Sequence, residues 1–223
     1  MTACVLVVGA SRGLGREFVR QYLADGAHVT ATARRPAEVA ELQAAGATAF
    51  ALDVADAASV SGVVWRAGGV GFDTAIVVAG VYGPQQSGIE APTEADFDTV
   101  MRTNVLGAMR VIPQLANALA PGATLAVISS RMGSIGEREA PYGWLYRASK
   151  AALNSVLKDA SIALAGKATC VALHPGWVQT DMGGPQADLT PQKSVADMRR
   201  TLAGLTPAQT GSFLNHDGSA IGW

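Results

Sequence analysis

Short apolar runs rich in Val, Ala, Thr and Ile recur along the chain at 3–8, 28–33, 48–52, 74–78, 124–128, 169–173 and 211–214. They show little period-two alternation, which is the pattern of strands covered on both faces of a parallel sheet. Between them, residues 16–24, 37–45, 57–67, 94–120 and 147–165 carry apolar positions at helical spacing. Strand and helix alternate from end to end, with no linker, internal repeat or low-complexity tract between them. This order predicts one domain over residues 1–223: a doubly wound α/β fold of about seven parallel strands flanked by helices on both faces, joined by right-handed crossovers.

Composition narrows the function classes. Charged residues are 16% of the 223, and 17 basic side chains face 18 acidic ones, a net charge of -1. Such a chain has no basic surplus to neutralise nucleic-acid phosphates or anionic lipid, so neither is expected as a partner. No apolar stretch approaches the roughly 20 residues of a membrane span. Met1 leads straight into the first apolar run with no charged leader or small-residue cleavage site, so no secretory signal is expected. Two cysteines, Cys4 and Cys170, are too few for a disulfide scaffold or a zinc site, which fits a reducing, cytoplasmic setting. The three histidines, His28, His174 and His216, are dispersed in sequence and read as structural, and no metal site is expected.

The first strand runs into GASRGLG, with Gly9, Gly13 and Gly15 ahead of a helical pattern from Arg16. Glycines at a strand-to-helix turn let backbone approach a pyrophosphate, and the helix N-terminus offers it free N–H groups and a positive dipole. Further along stand Asp53 in LDV, Ala79-Gly80 after the fourth strand, Asn104 in RTNVLG, Ser129-Ser130 after the fifth, Tyr146 and Lys150 in YRASK, and PGWVQTD after the sixth. In order and placement these resemble the short-chain dehydrogenase/reductase family, whose fold is of the Rossmann type. SSRMGSIG, YRASKAALN and HPGWVQTDMGG are most similar to its C-factor-like carbonyl reductases.

The resemblance implies a nicotinamide cofactor. It would be held by Gly9, Ser11, Arg12, Gly13, Leu14 and Gly15 at the turn, by Arg34 after the second strand, and by Asp53 and Val54 after the third. Ala79 and Gly80, Tyr146 and Lys150, and Pro175, Gly176, Val178 and Thr180 would complete the contacts. Tyr146 and Lys150, four residues apart, share one helix face. A neighbouring ammonium, together with the positive nicotinamide ring of an oxidised cofactor, would lower a phenol from its usual value near 10, letting it exchange a proton with a carbonyl or alcohol oxygen. Ser130 is assigned to the substrate oxygen, with Ser129 as the alternative, and Asn104 to a water that extends a proton relay from Lys150. Tyr142 is a rival to Tyr146 but has no lysine four residues on; with Trp144 it is expected at the substrate mouth.

The second strand ends in TATARRP. Ala33 stands where enzymes that use NAD place an acid for the ribose 2′-hydroxyl, about 20 residues beyond the turn. Arg34, with Arg12, offers guanidinium groups to a 2′-phosphate instead, so NADP(H) is the expected cofactor. Where the family has Asn-Asn-Ala-Gly, this chain has Val77-Val78-Ala79-Gly80, which leaves open how the sheet centre is braced.

The expected activity is NADP(H)-dependent hydride transfer between cofactor and a small carbonyl or alcohol substrate. The alternative is a cofactor-sensing or signalling protein with little turnover. Residues 181–200, rich in Gly, Pro and Gln, read as a mobile lid. Ala148, Ala151, Ala152 and Ser155 give the helix at 147–165 a small-residue face, from which a homodimer is the expected state. The family's strand order, 3-2-1-4-5-6-7, would hold Cys4 and Cys170 roughly 14 Å apart, too far to bridge.

Overall fold

The computed structural model describes residues 2–69 and 71–223. The strands are β1 (Cys4–Val8), β2 (His28–Ala33), β3 (Thr48–Ala51), β4 (Phe72–Val77), β5 (Leu119–Ile128), β6 (Ala168–His174) and β7 (Ser212–Asn215). They form one parallel sheet in the order β3-β2-β1-β4-β5-β6-β7, so every strand ends at the same edge. The helices are α1 (Gly13–Ala24), α2 (Pro36–Ala44), α3 (Ala57–Val60), α4 (Val63–Arg66), α5 (Glu94–Met101), α6 (Gly107–Ala116), α7 (Trp144–Ala163) and α8 (Pro191–Ala203).

Successive strand residues point to opposite faces, and both faces are buried. Leu6, Val8, Ala75, Val77, Leu125, Val127, Cys170 and Ala172 pack with Val111 and Leu115 of α6 and Leu153 and Leu157 of α7. Val5, Val7, Ile76, Ala126, Val171 and Leu173 pack with Phe18 of α1, Leu42 of α2, and Val195 and Met198 of α8. Cys4 and Cys170 are unpaired thiols on β1 and β6, with β4 and β5 between them.

Three helical expectations change. The stretch at 57–67 is two single turns, because Gly62 takes a left-handed φ of 74° between α3 and α4. The stretch at 94–120 passes from α5 through a π-helical turn at Arg102–Leu106 into α6, then stops: β4 captures the chain, with the Phe72 N–H donating to the Ala118 carbonyl at 2.8 Å and Phe72 pairing with Leu119. The expected lid at 181–200 is only partly a loop. Thr190 caps α8 by accepting from the Lys193 N–H at 3.2 Å, Pro191 opens its first turn, and Val195 and Met198 are fully buried against the sheet.

Among the described residues no helix is long and apolar enough to cross a membrane. Because Met198 is core and not lid, Met198→Ala is expected to lower unfolding free energy by about 2–5 kcal/mol in urea titration. A loss under about 0.5 kcal/mol, ordinary for a surface position, would return α8 to the lid.

Candidate active site

At the switch in strand order, where β1 neighbours β4, the two strand exits nearly touch. Val8 accepts from the N–H groups of both Val78 and Ala79, at 2.9 and 3.1 Å. Gly9 turns with φ +90°, and a methyl there would meet the Ala79 nitrogen at 2.7 Å; one at Gly15 would meet the Gly9 carbonyl oxygen at 2.2 Å. The backbone thus forms a cradle with no side chain in it. Arg12, at the N-cap of α1, makes no side-chain cap, and the helix's first turn carries no acid. Its leading N–H groups suit an anion, and the cradle fits the dinucleotide expected there.

The Val77-Val78 departure is offset by other bonds. The twin donation to Val8 ties β4 to β1, and Asn104 clips the β4 exit: its Oδ1 accepts from the Val81 N–H and its Nδ2 donates to the Val81 carbonyl, both at 2.8 Å. Nδ2 also donates to Ser149 Oγ on α7 at 2.9 Å. Through these bonds to Val81 and Ser149 the Asn104 side chain braces the loop. The π-helical turn at Arg102–Leu106 aims it there, and such turns concentrate at functional sites.

α7 begins at Trp144, earlier than its apolar spacing suggests, with Gly143 as N-cap. Tyr146 therefore sits in the first turn, where side chains lean toward the N-terminus and the dipole favours negative charge. The Lys150 ammonium lies 5.6 Å from the centroid of the Tyr146 ring and donates to the Ile128 carbonyl at 2.8 Å. A Cβ on Gly80 would lie 3.3 Å from Asn104 Oδ1 and 3.4 Å from Lys150 Nζ, so these three residues converge. Burial dominates the proton affinities. It pushes the Tyr146 phenol well above its ordinary value, with the Ser130 hydroxyl pulling the other way, and depresses Lys150 to about 8. Each shift favours the uncharged form.

The two candidate serines separate. Ser129 Oγ donates to Asn154 Oδ1 on α7 at 2.6 Å, whereas Ser130 Oγ faces Tyr146 and accepts from the Met132 N–H at 3.2 Å. Tyr142 is half-exposed beneath the Arg147 guanidinium, 4.7 Å from its ring centroid, and is no rival to the buried Tyr146. Trp144 starts α7 with its indole nitrogen buried and unpartnered.

Around the rim, Asp53 accepts from the Ala55 N–H at 2.9 Å, closing a turn after β3, and Val54 beside it is buried. Ser11 lies in the β1–α1 turn and Leu14 in the first turn of α1. The Thr180 methyl lies 3.5 Å from the Cβ position of Gly13, joining the loop after β6 to the glycine turn. In that loop, Ser194 Oγ donates to the Pro175 carbonyl at 2.6 Å, Gly176 turns with φ +82°, and Val178 bridges to Leu189. Ala33 ends β2 buried. Arg35 pairs with Glu38, while Arg34 is exposed and makes no ion pair among the described residues. Arg12 pairs with Asp181 at 2.6 Å, both largely exposed.

His216 Nδ1 lies 3.1 Å from Asp197 Oδ2, and burial lowers His174 to about 4; among the described residues no cluster of three potential ligands gathers for a metal. Two site residues escaped sequence reasoning. Tyr82 stacks on Tyr146 with ring centroids 4.6 Å apart, and Met182 Sδ lies 4.0 Å from the Tyr146 hydroxyl. The signal for Tyr82 is an aromatic two residues beyond Gly80; Met182 carries none.

Known proteins are similar to this chain in sequence and fold. The chain is 40% identical over 132 residues to the C-signal protein of Myxococcus xanthus, covering 58% of this chain and 80% of that one. It is 33% identical over 230 residues to 1-hydroxy-2-glutathionyl-2-methyl-3-butene dehydrogenase of a Rhodococcus species, covering 98% and 99%. The solved carbonyl reductase from chicken fatty liver, with NADPH bound, superposes with a TM-score of 0.83 at 33% identity over 100% and 99% of the two chains. The short chain dehydrogenase family model matches residues 3–189, and the chain belongs to that family.

Proposed function

We propose that this chain is an NADP(H)-dependent oxidoreductase that reduces a small carbonyl compound to its alcohol. The observation that carries the reading is the buried pair of Tyr146 and Lys150, with Ser130 beside the phenol, at the strand edge next to the glycine turn. When bound, NADPH supplies the hydride equivalent for the carbonyl carbon. Ser130 and Tyr146 donate hydrogen bonds to the substrate oxygen, Tyr146 passes it a proton, and the Lys150 charge stabilises the phenolate left behind. The phenol is protonated at neutral pH, and burial raises its proton affinity further, so it enters the reduction as a proton donor. The Asn104 clip holds the β4 exit against α7 so that Gly80 leaves room for Lys150. The chicken enzyme's NADPH and the Arg12 and Arg34 guanidiniums support NADP(H).

Ala148 and Ser155 are exposed on α7, with Ala151 and Ala152 half-buried beside them, so the small-residue face looks outward. We take it as the surface on which two copies pair, in a reducing cytoplasmic setting consistent with the unpaired thiols. Light scattering at micromolar concentration is then expected to give the mass of a dimer, and a monomer mass would refute the pairing.

Tyr146→Phe is expected to lower kcat about a hundredfold or more while leaving NADPH binding, read by its fluorescence, within about threefold. A signalling protein without turnover would consume no NADPH with any ketone or aldehyde even as the parent. In the parent, kcat/KM for reduction should fall as pH rises through about 8, where Lys150 loses its proton; Lys150→Met should lack that limb.

The parent is expected to prefer NADPH over NADH at least tenfold in kcat/KM, about 1.4 kcal/mol. Replacing Ala33 with Asp and Arg34 with Leu should reduce or reverse the preference. Equal use of both cofactors by the parent would remove the phosphate-binding role of Arg12 and Arg34.

A further inference from the structure

Two side chains lie over the Tyr146 ring, and only one of them belongs to its own helix. Lys150, one turn along α7, covers one side, and the Tyr82 ring, on the loop after β4, stacks on the phenol at 4.6 Å with 27° between the planes. That separation and tilt lie in the range aromatic pairs prefer. Tyr82 is itself anchored. A Cβ on Gly143 would lie 2.5 Å from the Tyr82 hydroxyl and 3.0 Å from Met132 Cε, so the hydroxyl end of Tyr82 occupies a socket that exists because residue 143, with φ +66°, has no side chain. The Gly143 N–H donates to the Gln86 carbonyl at 2.9 Å, fixing the same loop to the start of α7. Loop and helix are thus joined on both sides of the stack.

We infer that Tyr82 is a positioning residue: seated in the Gly143–Met132 socket, it clamps the Tyr146 ring against Lys150 and keeps water from its outer face. The inference rests on the reading of Tyr146 as the proton donor for its catalytic consequence, although the clamp itself does not require turnover. The polar groups facing the phenol are few. Ser130 approaches from the end of β5 and Lys150 from α7, Met182 Sδ reaches its hydroxyl from the loop after β6, and Tyr142 and Arg147 lie beyond Tyr82. With Tyr82 removed, solvent replaces a ring face, the desolvation that raises the phenol weakens, and the side chain gains rotational freedom.

Two readouts test this, one of them independent of activity. In protein labelled at tyrosine 13Cζ, with the Tyr146 resonance assigned by its loss in Tyr146→Phe, Tyr82→Ala is expected to move the Tyr146 titration to lower pH, and Tyr82→Phe to leave it near the parent's. In steady-state reduction of a simple aldehyde, Tyr82→Ala is expected to lower kcat about tenfold or more with little change in KM for NADPH, and Tyr82→Phe to restore most of it. Gly143→Ala, which fills the socket without touching Tyr146, should reproduce the Tyr82→Ala resonance shift. Tyr82→Leu repeats the comparison with more apolar bulk if the alanine variant does not fold. An unmoved Tyr146 titration in a folded Tyr82→Ala or Tyr82→Leu protein overturns the clamp. If the resonance moves while the parent reduces no carbonyl, the clamp stands and the proposed reaction falls.

Discussion

The close approach of two strand exits is the constraint on which the rest depends. β1 and β4 leave the sheet side by side, and at Gly9 there is no room for a methyl between one backbone and the other. The chain after β1 must therefore turn as bare backbone into α1, while the chain after β4 leads away toward Asn104. Parallel pairing brings every strand end to this edge, so the Ser130 turn, the start of α7 and the Pro175 loop all converge on the same opening. A side chain at Gly9 would force the exits apart, and one at Gly15 would push α1 off the β1 exit; either would disturb the spacing of the loops that carry the chemistry.

Burial sets the electrostatic state of the opening. Tyr146 and Lys150 are 7% and 4% exposed, and both are pushed toward neutrality, the phenol by a raised proton affinity and the amine by a lowered one. Here burial lowers the proton affinity of Lys150 to about 8, and its ammonium donates to one carbonyl oxygen, that of Ile128. A fixed dipole at short range counts for more in such a poorly hydrated place than in solution. The first turn of α7 carries a field of the other sign, which favours negative charge at Tyr146.

Much of this was legible in the sequence. The strands announced themselves because both faces are buried and the runs are continuously apolar, and the Tyr146–Lys150 spacing survives as a shared face of α7. What was not legible has identifiable causes. Gly62 breaks a helical pattern that apolar spacing alone continues. Pro191 and the glycines before it disguised α8, although Val195, Met198 and Leu202 already had core spacing and Thr190 a capping position. Adjacent serines take opposite faces of an extended chain, and no local signal says which face meets Asn154 and which meets Tyr146. Tyr82 lies 64 positions from the ring it covers, and its partnership exists only through the tertiary path of the β4 exit.

The ion pair between Arg12 and Asp181 joins the glycine turn to the loop after β6 across the mouth of the cleft. A guanidinium already engaged by a carboxylate must release it before holding another anion in the same geometry, so Asp181 acts as a tethered competitor for any phosphate that Arg12 is to receive. Exposed pairs of this kind are worth about 0–1 kcal/mol, which caps the resulting loss of apparent affinity at about fivefold. Rising ionic strength weakens the competitor and the phosphate contact together, leaving the balance between them less sensitive to salt than either interaction taken alone.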